Sequence, residues 1–109
     1  MAMIAMAVPI LPGKKDMWKK EVLEKMVQQN KADTDASREA AGVHERTFLQ
    51  ETPDGDFVIL PFEGDDPEAG WGMIMQSMPP EIASVIAEIH GMDMDAPPPM
   101  PTLVYDSKA

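Results

Sequence analysis

Hydrophobic and polar positions along this chain follow two periods. Met3–Val8 is an apolar run closed by Pro9 and Pro12–Gly13, which predicts a buried strand. Between Gly13 and Gly42 the period changes. Trp18, Val22, Met26, Gln29, Ala32 or Asp33, Ala36 and Ala40 recur every three or four residues and predict one long helix, with Gly42 just beyond its end. Asp33-Thr34-Asp35 is its weak point, since these side chains favour caps and turns. His44–Glu51 and Asp56–Glu63 then read as two strands flanking Pro53-Asp54-Gly55. A two-residue Asp54–Gly55 loop sets Thr52 opposite Phe57, Gln50 opposite Ile59 and Arg46 opposite Glu63. One face of this hairpin gathers Leu49, Val58, Leu60 and Phe62. The other carries His44, Arg46, Phe48 and Gln50. Asp66 and Pro67 predict the N-cap and first residue of a helix that Gly70 and Gly72 shorten. Pro79–Pro80 opens a clearer helix, with Ile82, Val85, Ile86 and Ile89 on one face, His90 in its last turn and Gly91 after it. Beyond a Pro-rich connector, Thr102–Tyr105 reads as a final strand.

The order is strand, helix, strand, strand, helix, strand. This βαββαβ pattern predicts an α+β, ferredoxin-like sandwich: a four-stranded antiparallel sheet with both helices on one face. The 109 residues suit one domain spanning 1–109. Such a subunit leaves its second sheet face bare. A small protein rarely exposes a half-apolar sheet face, so a homodimer closing sheet against sheet is expected.

Composition narrows the partners. Nine Lys and Arg against nineteen Asp and Glu give a formal charge of −10. Nucleic acid and anionic membrane surfaces, which are recognised through clustered Lys and Arg, are not expected partners. No cysteine is present, which removes disulfides, thiol catalysis and Cys-ligated metals. No stretch approaches the roughly 20 apolar residues of a membrane span. Met1–Pro12 carries no charged side chain, but Lys14 and Lys15 follow it, whereas a signal peptide wants its basic region first. These features together lead to the expectation of a cytoplasmic protein.

Candidate chemistry is sparse. Of the two histidines, His44 begins a strand on the polar face and is a candidate general base; its plainer reading is an exposed strand start. His90 ends a helix, where a protonated imidazole would interact with the last carbonyls, a structural role. Arg46 is a candidate for holding a carboxylate or enolate oxygen, although an ion pair with Glu63 is the simpler reading. Arg46, Phe48, Gln50, Trp71 and Tyr105 are the candidate ligand-binding residues, since an apolar wall with a few polar groups suits a small organic molecule. Trp18 reads as core. The eleven methionines, irregularly spaced, read as flexible core filling rather than a thioether metal site. No histidine spacing or calcium-loop pattern calls for a metal, and no glycine-rich motif calls for a cofactor.

Four segments carry a family likeness: Val8–Lys14 (VPILPGK), Phe48–Asp56 (FLQETPDGD), Glu63–Pro67 (EGDDP) and Ile89–Asp93 (IHGMD). Over roughly residues 3–106 the chain resembles small proteins of the dimeric α/β-barrel superfamily. The resemblance implies a ferredoxin-like subunit in a dimer, and no catalytic residue carries over from it. The expected function is a homodimeric small-molecule-binding protein with a cavity between sheet and partner. One alternative is a cofactor-independent monooxygenase, isomerase or cyclase acting on a small aromatic or polyketide-like substrate, with His44 as base and Arg46 stabilising oxyanion charge. Another is a structural or regulatory dimer without a ligand.

Overall fold

The structure, a computed structural model, describes residues 2–93, 95 and 99–108. Met1, Met94, residues 96–98 of the Pro-rich connector and Ala109 lie outside them. Strand β1 (Ala2–Ile10) pairs antiparallel with β4 (Gly55–Gly64), from Ala2 opposite Gly64 to Ile10 opposite Asp56. On the other side of β4 lie β2 (Val43–Glu45) and β3 (Phe48–Thr52), both antiparallel to it. The fold is therefore α+β with a four-stranded antiparallel sheet, as the element order predicts, and among the described residues it has four α-helices where two were expected; it is compatible with a ferredoxin-like subunit.

The fourth strand arises differently from the expectation. β2 and β3 follow one continuous register along β4, with Glu45 opposite Phe62 and Phe48 opposite Ile59. Between them the Arg46 N–H donates to the Pro61 carbonyl at 3.1 Å. Pro61 has no N–H to return that bond. The ladder lapses at Arg46–Thr47, and one predicted strand becomes two. The predicted strand Thr102–Tyr105 is not formed; the segment is irregular and exposed, because no strand lies beside it to take its backbone bonds.

The hairpin turns one residue early, which shifts the pairing by two. Thr52 faces Gly55, leaving Pro53–Asp54 as the loop. Pro53 holds φ negative and takes the first corner, Asp54 also stays at negative φ, and Gly55 alone takes φ +141°. A shift of two keeps every side chain on its predicted face.

The long helix is three pieces: α1 (Lys15–Trp18), a π-helical stretch (Lys19–Gln29) and α2 (Lys31–Ala40). The break falls at Asn30, not at Asp33–Asp35. Asn30 leaves helical geometry (φ −111°, ψ 33°) while its N–H still reaches Lys25 O. Thr34 lies inside α2, where its hydroxyl donates to Met26 O at 2.8 Å and ties the two pieces together. Helix α3 (Pro67–Ser77) starts as predicted, with Asp66 Oδ1 accepting from the Ala69 N–H at 3.1 Å. It runs eleven residues despite Gly70 and Gly72. Helix α4 (Pro80–His90) ends at Gly91 in the left-handed conformation. No described helix is long and apolar enough to cross a membrane.

All core packing lies on one sheet face. Val8, Ile10 and Val58 meet Trp18 and Ile89 in one cluster, and Met6, Val43 and Phe62 meet Ile74 in the other. The glycines decide how closely the layers approach. A Cβ on Gly64 would collide with the Gly42 carbonyl, and one on Gly70 would lie 2.5 Å from Val43 Cγ1. Gly72 has open space around it. Gly64→Ala is therefore expected to cost about 1–3 kcal/mol by overpacking against backbone that cannot yield. Gly72→Ala, by contrast, should gain about 0.5–1 kcal/mol of helix stability. Urea unfolding of the two variants checks this pair of opposite signs.

Candidate functional site

The bare face of the sheet is a grid. Along β4 the outward residues are Phe57, Ile59, Pro61 and Glu63. Across the registers they form four rows: His44–Glu63–Met3, Arg46–Pro61–Ala5, Phe48–Ile59–Ala7 and Gln50–Phe57–Pro9. The polar groups are concentrated in the β2–β3 column. The other two columns are apolar except for Glu63. Phe48 is 55% exposed and Met3 51%. Ala5 and Ala7 carry only methyl side chains, between the larger Met3 and Pro9 of the same column.

Four predicted site residues, His44, Arg46, Phe48 and Gln50, thus share one face. Arg46 is ion-paired with Glu63 through its Nη1, as the simpler reading anticipated. The pair is diagonal, since Pro61 is opposite Arg46 and His44 is opposite Glu63. Its charges cancel, so the grid carries no net charge from them. Trp71 does not join this face. It stands on α3 across the sheet, with its ring 5.3 Å from that of Phe62 and tilted by 52°. Tyr105 belongs to no strand of the sheet and is exposed on the irregular C-terminal segment. Trp18 is core, as predicted.

Between sheet and helices lies a second, inner hollow. A cavity of about 80 Å³ is lined by Trp18, Phe62, Trp71, Met75 and His90. That is below the roughly 150 Å³ that accommodates benzene and far below the several hundred of a typical ligand site. A wider open cleft of about 690 Å³ runs between α2 and β2–β3. Arg38 and Glu45 line both spaces. Arg38 Nε donates to Glu45 Oε1 at 2.7 Å, and Thr47 donates to the other carboxylate oxygen at 2.8 Å. This half-buried network joins α2 to the sheet.

His90 corrects the sequence reading. It is only 7% exposed, and its partner is the Pro9 carbonyl of β1, 2.7 Å from Nδ1, rather than the end of its own helix. A carbonyl only accepts, so Nδ1 carries the proton and the neutral ring keeps Nε2 as an acceptor. Burial pushes the imidazole below its ordinary value of 6.5, and the Pro9 bond offsets this only partly. The sequence held a weak signal for this: a histidine at the end of a strongly apolar helix face. What it lacked was the knowledge that β1 lies against that face. Arg38 and Glu45 gave no signal, since their pairing depends on how α2 crosses β2.

The sign of the pH effect follows. Below about pH 6.5 the unfolded chain binds a proton at this site that the folded chain resists, so this site lowers stability as pH falls until the folded-state value is passed. Urea midpoints measured from about pH 7.5 to 5 should decline less steeply in His90→Gln than in the native chain. Equal slopes would mean that burial leaves this imidazole free to charge.

Among the described residues no three His, Cys, Asp or Glu side chains come together as a metal-binding group. Compared with protein-family models, curated proteins and solved structures, the chain matches none.

Proposed function

We propose that the protein is a homodimer that covers the two bare sheet faces and binds a small, largely apolar organic molecule between them. One observation carries this reading: the β1 and β4 columns of the bare face are apolar apart from Glu63, and the β1 column narrows to the small side chains of Ala5 and Ala7. Two sheets packed face to face lie about 10 Å apart, a gap that large side chains fill. Phe48, Ile59 and Met3 supply bulk for contact, while the alanine column leaves room. Gln50 and His44 at the margin offer hydrogen bonds to a ligand's polar group. Arg46 has further N–H groups beyond the one given to Glu63. The inner cavity is too small to serve the same purpose.

Apolar burial is the driving term. Covering a large apolar side chain is worth about 1.5–3 kcal/mol, whereas an exposed ion pair such as Arg46–Glu63 contributes about 0–1 kcal/mol. Native mass spectrometry of the full chain should therefore give twice the monomer mass. Ile59→Lys should yield a monomer with unchanged circular dichroism. Ala7→Leu, which fills the alanine column, should keep the dimer yet abolish uptake of an anilinonaphthalene dye. A dimer indifferent to Ile59→Lys would refute the face-to-face arrangement. Dye uptake undiminished in Ala7→Leu would refute the cavity.

A further inference from the structure

The outer edge of β1 is half closed and half open. Because residue 61 bonds toward β2–β3, the even-numbered residues of β4 bond toward β1, and the even-numbered residues of β1 answer them. The backbone groups of Met3, Ala5, Ala7 and Pro9 therefore point away from the sheet. At the far end helix α4 takes them up: His90 Nδ1–H donates to Pro9 O, and the Leu11 N–H donates to Ile89 O at 2.9 Å. On this edge Met3, Ala5 and Ala7 have no neighbouring strand among the described residues. Natural sheets guard such edges with charge, proline or bulges, and Met3–Ala7 has none of these.

The same chain holds a free segment of matching length. Thr102-Leu103-Val104-Tyr105 is rich in strand-forming residues and uncharged, yet Val104 is 90% exposed. Met100 packs on the cluster of Met6, Val43, Phe62 and Ile74, so the chain leaves its own body at the half of the sheet where β1 begins. An antiparallel strand on the chain's own β1 would have to start at the opposite end, where α4 finishes. A second copy has no such restriction. Both faces beside the open edge are apolar, with Ile4 and Met6 on one and Met3, Ala5 and Ala7 on the other. Apolar side chains on both faces of the incoming strand suit it. The chain's −10 charge does not oppose the contact, because neither stretch carries a charged residue.

We infer that residues 102–105 of one copy add as an antiparallel strand to the Met3–Ala7 edge of a second copy, and the reverse, so that each sheet is completed by its partner. Such mutual exchange of an identical element closes with two-fold symmetry. It shares with the preceding reading only the presence of a second copy.

The test uses full-length chains, which contain no native cysteine. An Ala5→Cys chain mixed with a Leu103→Cys or Val104→Cys chain should give a hetero-disulfide dimer on mild oxidation. Leu103→Pro and Val104→Pro together cover both registers, and at least one should weaken the dimer about tenfold or more by removing an engaged N–H. The segment touches no core, so circular dichroism should not change. Failure to form the hetero-disulfide would overturn the inference. So would an Ala5→Cys/Val104→Cys double variant that closes within one monomer, since the strand would then belong to its own chain. If Ile59→Lys dissociates the dimer while both proline variants leave it intact, exchange is wrong and the face-to-face reading stands. The opposite pattern keeps exchange and removes the face-to-face reading.

Discussion

Strand β4 is hydrogen-bonded to each of the other three strands, and no other strand touches more than one. The whole sheet depends on that one ladder. Its inward residues, Val58 and Phe62, are the centres of the two core clusters, so losing β4 would remove sheet and core together. Its length also fixes the position of everything else. Gly64 at its end lets Gly42 approach at the turn into β2. Gly70 on α3 lets Val43 come close from the other side. A single proline in the same strand withholds one N–H and divides its neighbour into β2 and β3.

One-sided packing follows from this arrangement. The helices sit over the even-numbered positions of β1 and β4, and the alternate positions are left to water. Electrostatics alone would not cover them. Two copies of a chain at −10 repel, but that repulsion fades over about 8 Å at physiological salt. The grid contributes one positive and one negative group that are already paired. Contact at this face is thus decided by apolar area, for which Phe48, Ile59 and Met3 are placed.

Much of this was legible from residues alone because the signals were local. Asp66–Pro67 begins a helix through its own side chain, and Gly91 ends one through its own backbone freedom. The parity of the hairpin survived a two-position error, since the alternation of Leu49, Val58, Leu60 and Phe62 holds whichever turn closes it. The failures were all relational. Pro53 overrode the Asp-Gly turn signal because it fixes the preceding corner. Pro61 broke a strand other than its own. Thr102–Tyr105 has a strand's residues but needs an edge beside it. His90 looked like a protonated cap on its own helix end, but β1 closes over it and Pro9 takes its hydrogen bond. Trp71 and Tyr105 were joined to the polar face on residue type, and the sheet itself separates Trp71 from that face.

The absence of charge in the first twelve residues now has a structural meaning. A strand buried on one face only would normally place polar residues on the other and guard its edge with a lysine or a proline. β1 instead puts Met6, Val8 and Ile10 inward and Met3, Ala5 and Ala7 outward, and spends its one proline where α4 already closes the edge. The charged side chains lie elsewhere, on the helices, the hairpin and the turns. In the proposed dimer such a strand, with no polar face and half its edge unguarded, has three neighbours: the helices beneath, a partner's sheet above and a partner's strand alongside. This chain provides the first. The other two are what the bare sheet face and the uncharged C-terminal segment of a second copy can supply.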